Sequence, residues 1–90
     1  MQRLSLRIEG RVQGVGFRWF VVRESQRLGL AGHVKNNSDG SVEVVAEGAK
    51  ERLDQLEQLC RQGPRPAQVE KVERVTETVA RTLYTSFEIR

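Results

Sequence analysis

The residues with chemistry to offer lie in two short stretches, Gly10-Arg11-Val12-Gln13-Gly14-Val15-Gly16-Phe17-Arg18 and Gly32-His33-Val34-Lys35-Asn36-Asn37. The first joins an alternating apolar segment to a helical pattern, so it reads as a strand-to-helix loop. Its glycines let the backbone turn sharply and approach a ligand with no Cβ in the way. The helix that follows presents free N-terminal N–H groups, which favour an anion. Arg18 falls in the first turn, where a cation opposes the helix dipole unless something negative lies between the two. A small phosphate or carboxylate would fit that description. Glycine-rich strand-to-helix turns are also common, and an exposed arginine in a first turn is usually inert. Local chemistry alone leaves a plain turn and an anion site equally open. Two phosphate motifs are excluded: Trp19 stands where the dinucleotide fingerprint needs its third glycine, and no Lys-Ser/Thr pair completes a P-loop.

Neither stretch carries the groups that move protons. No Ser-His-Asp set or plausible Cys-His pair can be assembled, and the only carboxylates at the motifs are Glu9 and Asp39. With one histidine, His33, and one cysteine, Cys60, a histidine-based metal site is nearly excluded and a cysteine cluster or intrachain disulfide is impossible. No metal and no cofactor are expected. Arginine cannot act as a general base, and asparagine does not titrate in the useful range. Loop amides, one arginine and one asparagine can bind, orient and stabilise charge, but cannot move a proton themselves. Such a set suits a reaction whose difficulty lies in alignment, as in phosphoryl transfer through a loose transition state.

The elements that must position these residues follow from periodicity. Leu4, Leu6 and Ile8 alternate with Ser5, Arg7 and Glu9 as a half-buried strand. Phe17, Val21, Ser25 and Leu28 recur at helical spacing, thickened by Phe20, and Gly29 suits the position that ends the helix. Trp19 either caps the core edge, the favoured reading, or lines a substrate mouth. Leu30–Asn36 and Ser41–Glu47 read as strands, with Val42, Val44 and Ala46 inward, joined through the turn Asn37-Ser38-Asp39-Gly40. Ala49, Leu53, Leu56 and Cys60 trace a second amphipathic helix closed by Gly63 and Pro64. Val69, Val72 and Val75 fall at steps of three, which favours a strand with a bulge. Leu83, Thr85, Phe87 and Ile89 alternate as a fifth strand.

The order β-α-β-β-α-β-β predicts an α+β, ferredoxin-like split βαβ sandwich, a mixed, mainly antiparallel sheet with two helices on one face. The place of the last strand is open. In a βαβ unit the first two strands run in the same direction, so the glycine loop and Asn36 leave the sheet at the same edge. Ligand sites in such sheets gather at strand C-termini. Asn37 reads as a turn residue; Asn36 is open between a turn role and a site role.

Ninety residues fit one domain, 1–90, with one core. Hydrophobic residues at 38% and charged residues at 30% describe a globular chain. The net charge of +3 is spread along the sequence without a like-charge block, a solvated surface more than a nucleic-acid stripe. It would steer small anions modestly. There is no signal-peptide pattern and no run of 18 apolar residues, so a cytoplasmic protein that avoids membranes is expected.

Ile8-x-Gly10-x-Val12-Gln13-Gly14-Val15-x-Phe17-Arg18 resembles the first signature of the acylphosphatase family. Gly32-His33-Val34-Lys35-Asn36-x-x-x-Gly40-x-Val42, running on to Gly48, resembles the second. Both are long and specific, they occur in the expected order, and the likeness covers essentially the whole chain. His33 departs from it, standing where the family usually carries an aromatic ring. The resemblance implies a division of labour. Amides from Gln13 through Gly14, Val15 and Gly16 to Phe17, with the Arg18 guanidinium, hold phosphate, and Asn36 holds the attacking water. The substrate phosphate itself accepts the water's proton, with no metal and no phosphoenzyme. The partner is a small-molecule acyl phosphate; a free-standing enzyme is expected because the chain begins and ends at the domain edges, and a monomer is expected. The rival is a non-catalytic anion-sensing or regulatory domain on the same scaffold. RNA binding on the sheet would need stacking aromatics, which Leu4–Glu9 and Ser41–Glu47 lack. His33, one position from Val34, is expected to be a partly exposed residue pointing away from the helices.

Overall fold

Alternation sets β1 (Gln2–Arg11): Leu4, Leu6 and Ile8 are buried on one side, and Arg3, Ser5 and Arg7 point to the other. The computed structural model describes residues 1–90. After the glycine loop comes α1 (Phe17–Arg27), whose Phe17, Val21, Val22 and Ser25 are buried. It is followed by β2 (Ala31–Asn36), β3 (Val42–Gly48), α2 (Lys50–Gln62), β4 (Gln68–Thr78) and β5 (Phe87–Ile89). The sheet order is β4-β1-β3-β2-β5, antiparallel throughout except for the β2–β5 pair. This is the ferredoxin-like arrangement expected from the element order, and it places the last strand beside β2. One core joins Leu4, Leu6, Ile8, Val34, Val42, Val44 and Ala46 to Val21 of α1 and to Leu53, Leu56 and Cys60 of α2. No helix is long and apolar enough to cross a membrane.

The three-residue valine spacing has the expected cause in part. Opposite β1, Ile8 pairs with Val72 and Glu9 with Lys71, but Gly10 pairs with Val69, so Glu70 is the extra residue of a bulge. One inserted residue returns Val69 and Val72 to the core side. Val75 gains nothing from it. It lies opposite Ser5, on the far face, and is 67% exposed.

The C-terminal strand is shorter than its alternation predicts. Only Phe87–Ile89 pairs with β2, and Leu83 is 70% exposed. Residues 79–86 instead lie over the face that the helices leave open, held by side chains rather than by a ladder. The Thr82 hydroxyl and the Leu83 N–H both donate to Glu47 Oε1, at 2.6 and 3.0 Å. His33 is a second correction. It points away from the helices, but only 7% of it is exposed. Its Nδ1 lies 2.8 Å from the Tyr84 hydroxyl and its Nε2 2.9 Å from Glu43, under the segment that covers it.

Glu47 gives this cover a pH signature. Its side chain is 1% exposed, and Arg3 binds it through Nη2 at 2.7 Å. Burial alone would raise its pKa. The Thr82 hydroxyl, Arg3 and the Leu83 amide outweigh burial and hold it below the ordinary range. Asp39 is also held well below that range by the Ser41 hydroxyl, the Ser41 amide and Arg7. Depressed carboxyl pKa values mean that the unfolded chain binds more protons near pH 4, so this stability is complete above about pH 5 and lost as pH falls. In the other direction, burial, with Glu57 adding to it, pushes the Cys60 thiol up to about 12. Above about pH 9 the unfolded chain therefore ionises a thiol that the fold keeps neutral. Thermal melts across pH are expected to give a plateau near neutrality and a fall on each side. Glu47→Gln should make the acid arm shallower, leaving the part that Asp39 contributes, and an unchanged acid arm would remove Glu47 as a source of it.

Candidate active site

β1 and β2 run parallel with β3 between them, so the glycine loop after Arg11 and the turn after Asn36 leave the sheet at one edge. A cavity of about 200 Å³ opens there. Its lining brings Gly14, Gly16, Phe17 and Arg18 of the first stretch together with Asn36 of the second, and Val12 and Trp19 complete it. A larger groove of about 450 Å³ runs along the helices, lined by Arg27, Asp54, Gln55, Gln58, Leu59 and Gln62. Arg27 there is paired with Glu24, and neither predicted stretch reaches it.

Gly14 and Gly16 have φ of 73° and 79°, the left-handed region that favours glycine. A Cβ on either would meet no protein atom within 4 Å. The demand for glycine here comes from backbone conformation and from the space in front of it. Gly16 is also the N-cap of α1, which has no side-chain cap and no acidic residue in its first turn. Its leading amides are therefore available to an anion. Phe17, 2% exposed, anchors the start of the helix in the core, which is worth about 1.5–3 kcal/mol for such a side chain. Its neighbour Arg18 is exposed. Arg3 and Arg7 are each held by carboxylates, whereas Arg18 pairs with none. Asn36, half-buried at the end of β2, likewise makes no side-chain hydrogen bond to the protein.

The side chains of the remaining loop residues hold the site rather than line it. Val15 packs against the core. The Gln13 side chain crosses to the β2–β3 turn, where Nε2 donates to the carbonyls of Asn37 and Ser41 at 2.8 and 2.9 Å. The turn is itself braced. Asn37 Nδ2 donates to Ser41 Oγ at 2.9 Å, the Ser41 amide and hydroxyl donate to Asp39 Oδ1, and Arg7 reaches Asp39 Oδ2. Asn37 thus has the turn role expected of it. Sequence reasoning gave Gln13 only its backbone amide; a long amide between glycines, where turn chemistry has no use for it, was the available signal. Gln13→Ala is expected to lower kcat/KM about tenfold or more, because misplacement by 1 Å can cost ~10²-fold. Faster amide exchange across residues 12–17, with the rest of the chain protected as before, would identify lost positioning as the cause.

Trp19 departs from the favoured expectation. It does not pack on the core edge but stands 72% exposed at the cavity. Elsewhere, no group of three His, Cys, Asp or Glu side chains converges in a way that could hold a metal ion. On the open sheet face Arg3 and Arg7 are engaged by Glu47, Glu77, Asp39, Glu9 and Glu73, which takes them out of competition for phosphate.

Comparison with known proteins gives this chain relatives in both sequence and structure. The family model described as Acylphosphatase matches residues 4–89. An acylphosphatase of Koribacter versatilis (strain Ellin345) is 48% identical over 82 residues, 91% of this chain and 74% of that protein. One of Thiobacillus denitrificans (strain ATCC 25259 / T1) is 47% identical over 90 residues, 100% of this chain and 98% of its own. The crystal structure of acylphosphatase from Bacillus subtilis superposes with a TM-score of 0.94 at 34% identity, covering 100% of this chain and 99% of that one.

Proposed function

Because the chain belongs to the acylphosphatase family, and so is a hydrolase of acyl phosphates, we propose that Arg18 and Asn36 carry its chemistry. The substrate phosphate sits on the amides between Gln13 and Phe17 and against the Arg18 guanidinium. Asn36 holds a water in line with phosphorus. The water oxygen attacks phosphorus, the bond to the acyl oxygen breaks, and the carboxylate leaves with the bonding pair. The water's proton passes to a phosphate oxygen, so no protein base is required. Residues 1–90 form the domain that does this, acting as a monomer in the cytoplasm on a small-molecule acyl phosphate.

One observation carries the reading: a single cavity is lined by both Arg18 and Asn36, and neither side chain is engaged by another protein group. A free guanidinium and a free amide at an uncapped helix start favour a tetrahedral anion and a polar nucleophile together. The residues around them offer no carboxylate, imidazole or thiolate that could ligate a metal. The test is hydrolysis of benzoyl phosphate in the presence of EDTA. Turnover well above the spontaneous rate is expected. Phosphate binding without turnover would instead make this chain an anion-binding module.

A further inference from the structure

Trp19 is the only tryptophan in the chain and one of its most exposed apolar side chains, and it belongs to the cavity of Arg18 and Asn36. Position and exposure together call for an explanation, because an indole left in water beside a polar cavity contributes nothing to the core. We infer that Trp19 is the acyl-group contact of the site, and that it directs the enzyme towards acyl phosphates whose acyl group is aromatic or otherwise broad and apolar. The inference rests on the proposed hydrolysis at this cavity and adds a substrate class to it.

Three apolar side chains line the cavity, Val12, Phe17 and Trp19. Val12 and Phe17 are 1% and 2% exposed and already committed to the core. Only Trp19 has apolar surface left to give. A phosphate seated on the loop amides and Arg18 fills the polar part of a cavity of about 200 Å³, so the acyl group must project to the rim, where the indole stands. An indole face there can stack on an aromatic ring or cover an aliphatic chain. It offers little to an acetyl group.

This contact lies away from the reacting bond and is made equally in the ground state and the transition state. It therefore acts as uniform binding, which changes KM and leaves kcat alone. Aromatic pairing and the loss of indole area together predict that Trp19→Ala lowers the ratio of kcat/KM for benzoyl phosphate to that for acetyl phosphate about tenfold. The fall should come from a higher KM for benzoyl phosphate. Trp19→Phe, which keeps an aromatic face, should restore most of the ratio. Since the residue is exposed, both variants are expected to fold.

The lone tryptophan supplies a second readout that needs no turnover. Benzylphosphonate, titrated into the wild-type protein, is expected to shift or quench its fluorescence more strongly at saturation than methylphosphonate does. A ratio unchanged in Trp19→Ala, together with equal fluorescence responses to the two phosphonates, would overturn the acyl-contact role while leaving acyl phosphate hydrolysis intact. Absence of wild-type turnover on both substrates would overturn the hydrolytic reading itself, and this inference with it.

Discussion

Arg18→Ala is expected to lower kcat/KM for benzoyl phosphate by about 10²–10³-fold or more, the effect of removing one preorganised charge-stabilising donor. The loss should fall on both binding and turnover. Arg18 lies in the first turn of α1, where a cation is opposed by the helix dipole. No carboxylate of the protein offsets that opposition, in contrast to Arg3 on the sheet. A bound phosphate would offset it, and the guanidinium fork can meet two phosphate oxygens at once. Inorganic phosphate should accordingly become a much weaker competitive inhibitor in the variant. Arg18→Lys should recover only part of the activity, since an ammonium keeps the charge but loses the fork. The melting temperature should barely move, because an exposed side chain without partners adds little to stability. Near-normal kinetics in Arg18→Ala would place the phosphate elsewhere.

Much of this was legible in the sequence because it rests on repetition. The alternation of Leu4, Leu6 and Ile8 and the helical recurrence of Phe17, Val21 and Ser25 each involve several side chains that agree on one face. Element order then made β1 and β2 parallel, which brought Arg18 and Asn36 to one edge before any side-chain contact was known. What could not be read depends on single contacts between remote residues. His33 is buried because Tyr84, 51 positions away, lies over it. Residues 83–86 leave the expected strand because Glu47 takes the Leu83 amide and the Thr82 hydroxyl, neither of which leaves a periodic trace. The Gln13 side chain finds two carbonyls on another turn, which no local pattern encodes. Trp19 takes the less favoured of its two places, at the cavity, whereas a large apolar side chain beside a helix start is more often packed than presented. Where burial alone does not decide a side chain's place, sequence reasoning has little to hold.

Asn36→Ala separates catalysis from binding more sharply than any other change. It is expected to lower kcat by about 10²–10³-fold, the range seen when a donor aligned with the transition state is removed. KM for benzoyl phosphate and inhibition by inorganic phosphate should stay close to wild type. The asymmetry follows from what each residue would touch. Arg18 and the loop amides meet the phosphate in the ground state and throughout the reaction. Asn36 would meet the nucleophile, whose alignment matters chiefly as the bond to phosphorus forms. An interaction realised only in the transition state lowers kcat and kcat/KM together when it is removed. Asn36 is suited to this role by its place, since the end of β2 is fixed by pairing with Val42 while its amide is bound to no other protein group. Its neighbour Asn37 shows what a purely structural asparagine does here, donating to Ser41 and accepting from Gln13 through its carbonyl. If Asn36 were a turn residue of that kind, its loss would lower the melting temperature and leave kcat alone. If it were a phosphate ligand, inhibition by phosphate would weaken as it does in Arg18→Ala. A large fall in kcat with phosphate affinity and melting temperature preserved is the outcome that assigns the water to Asn36.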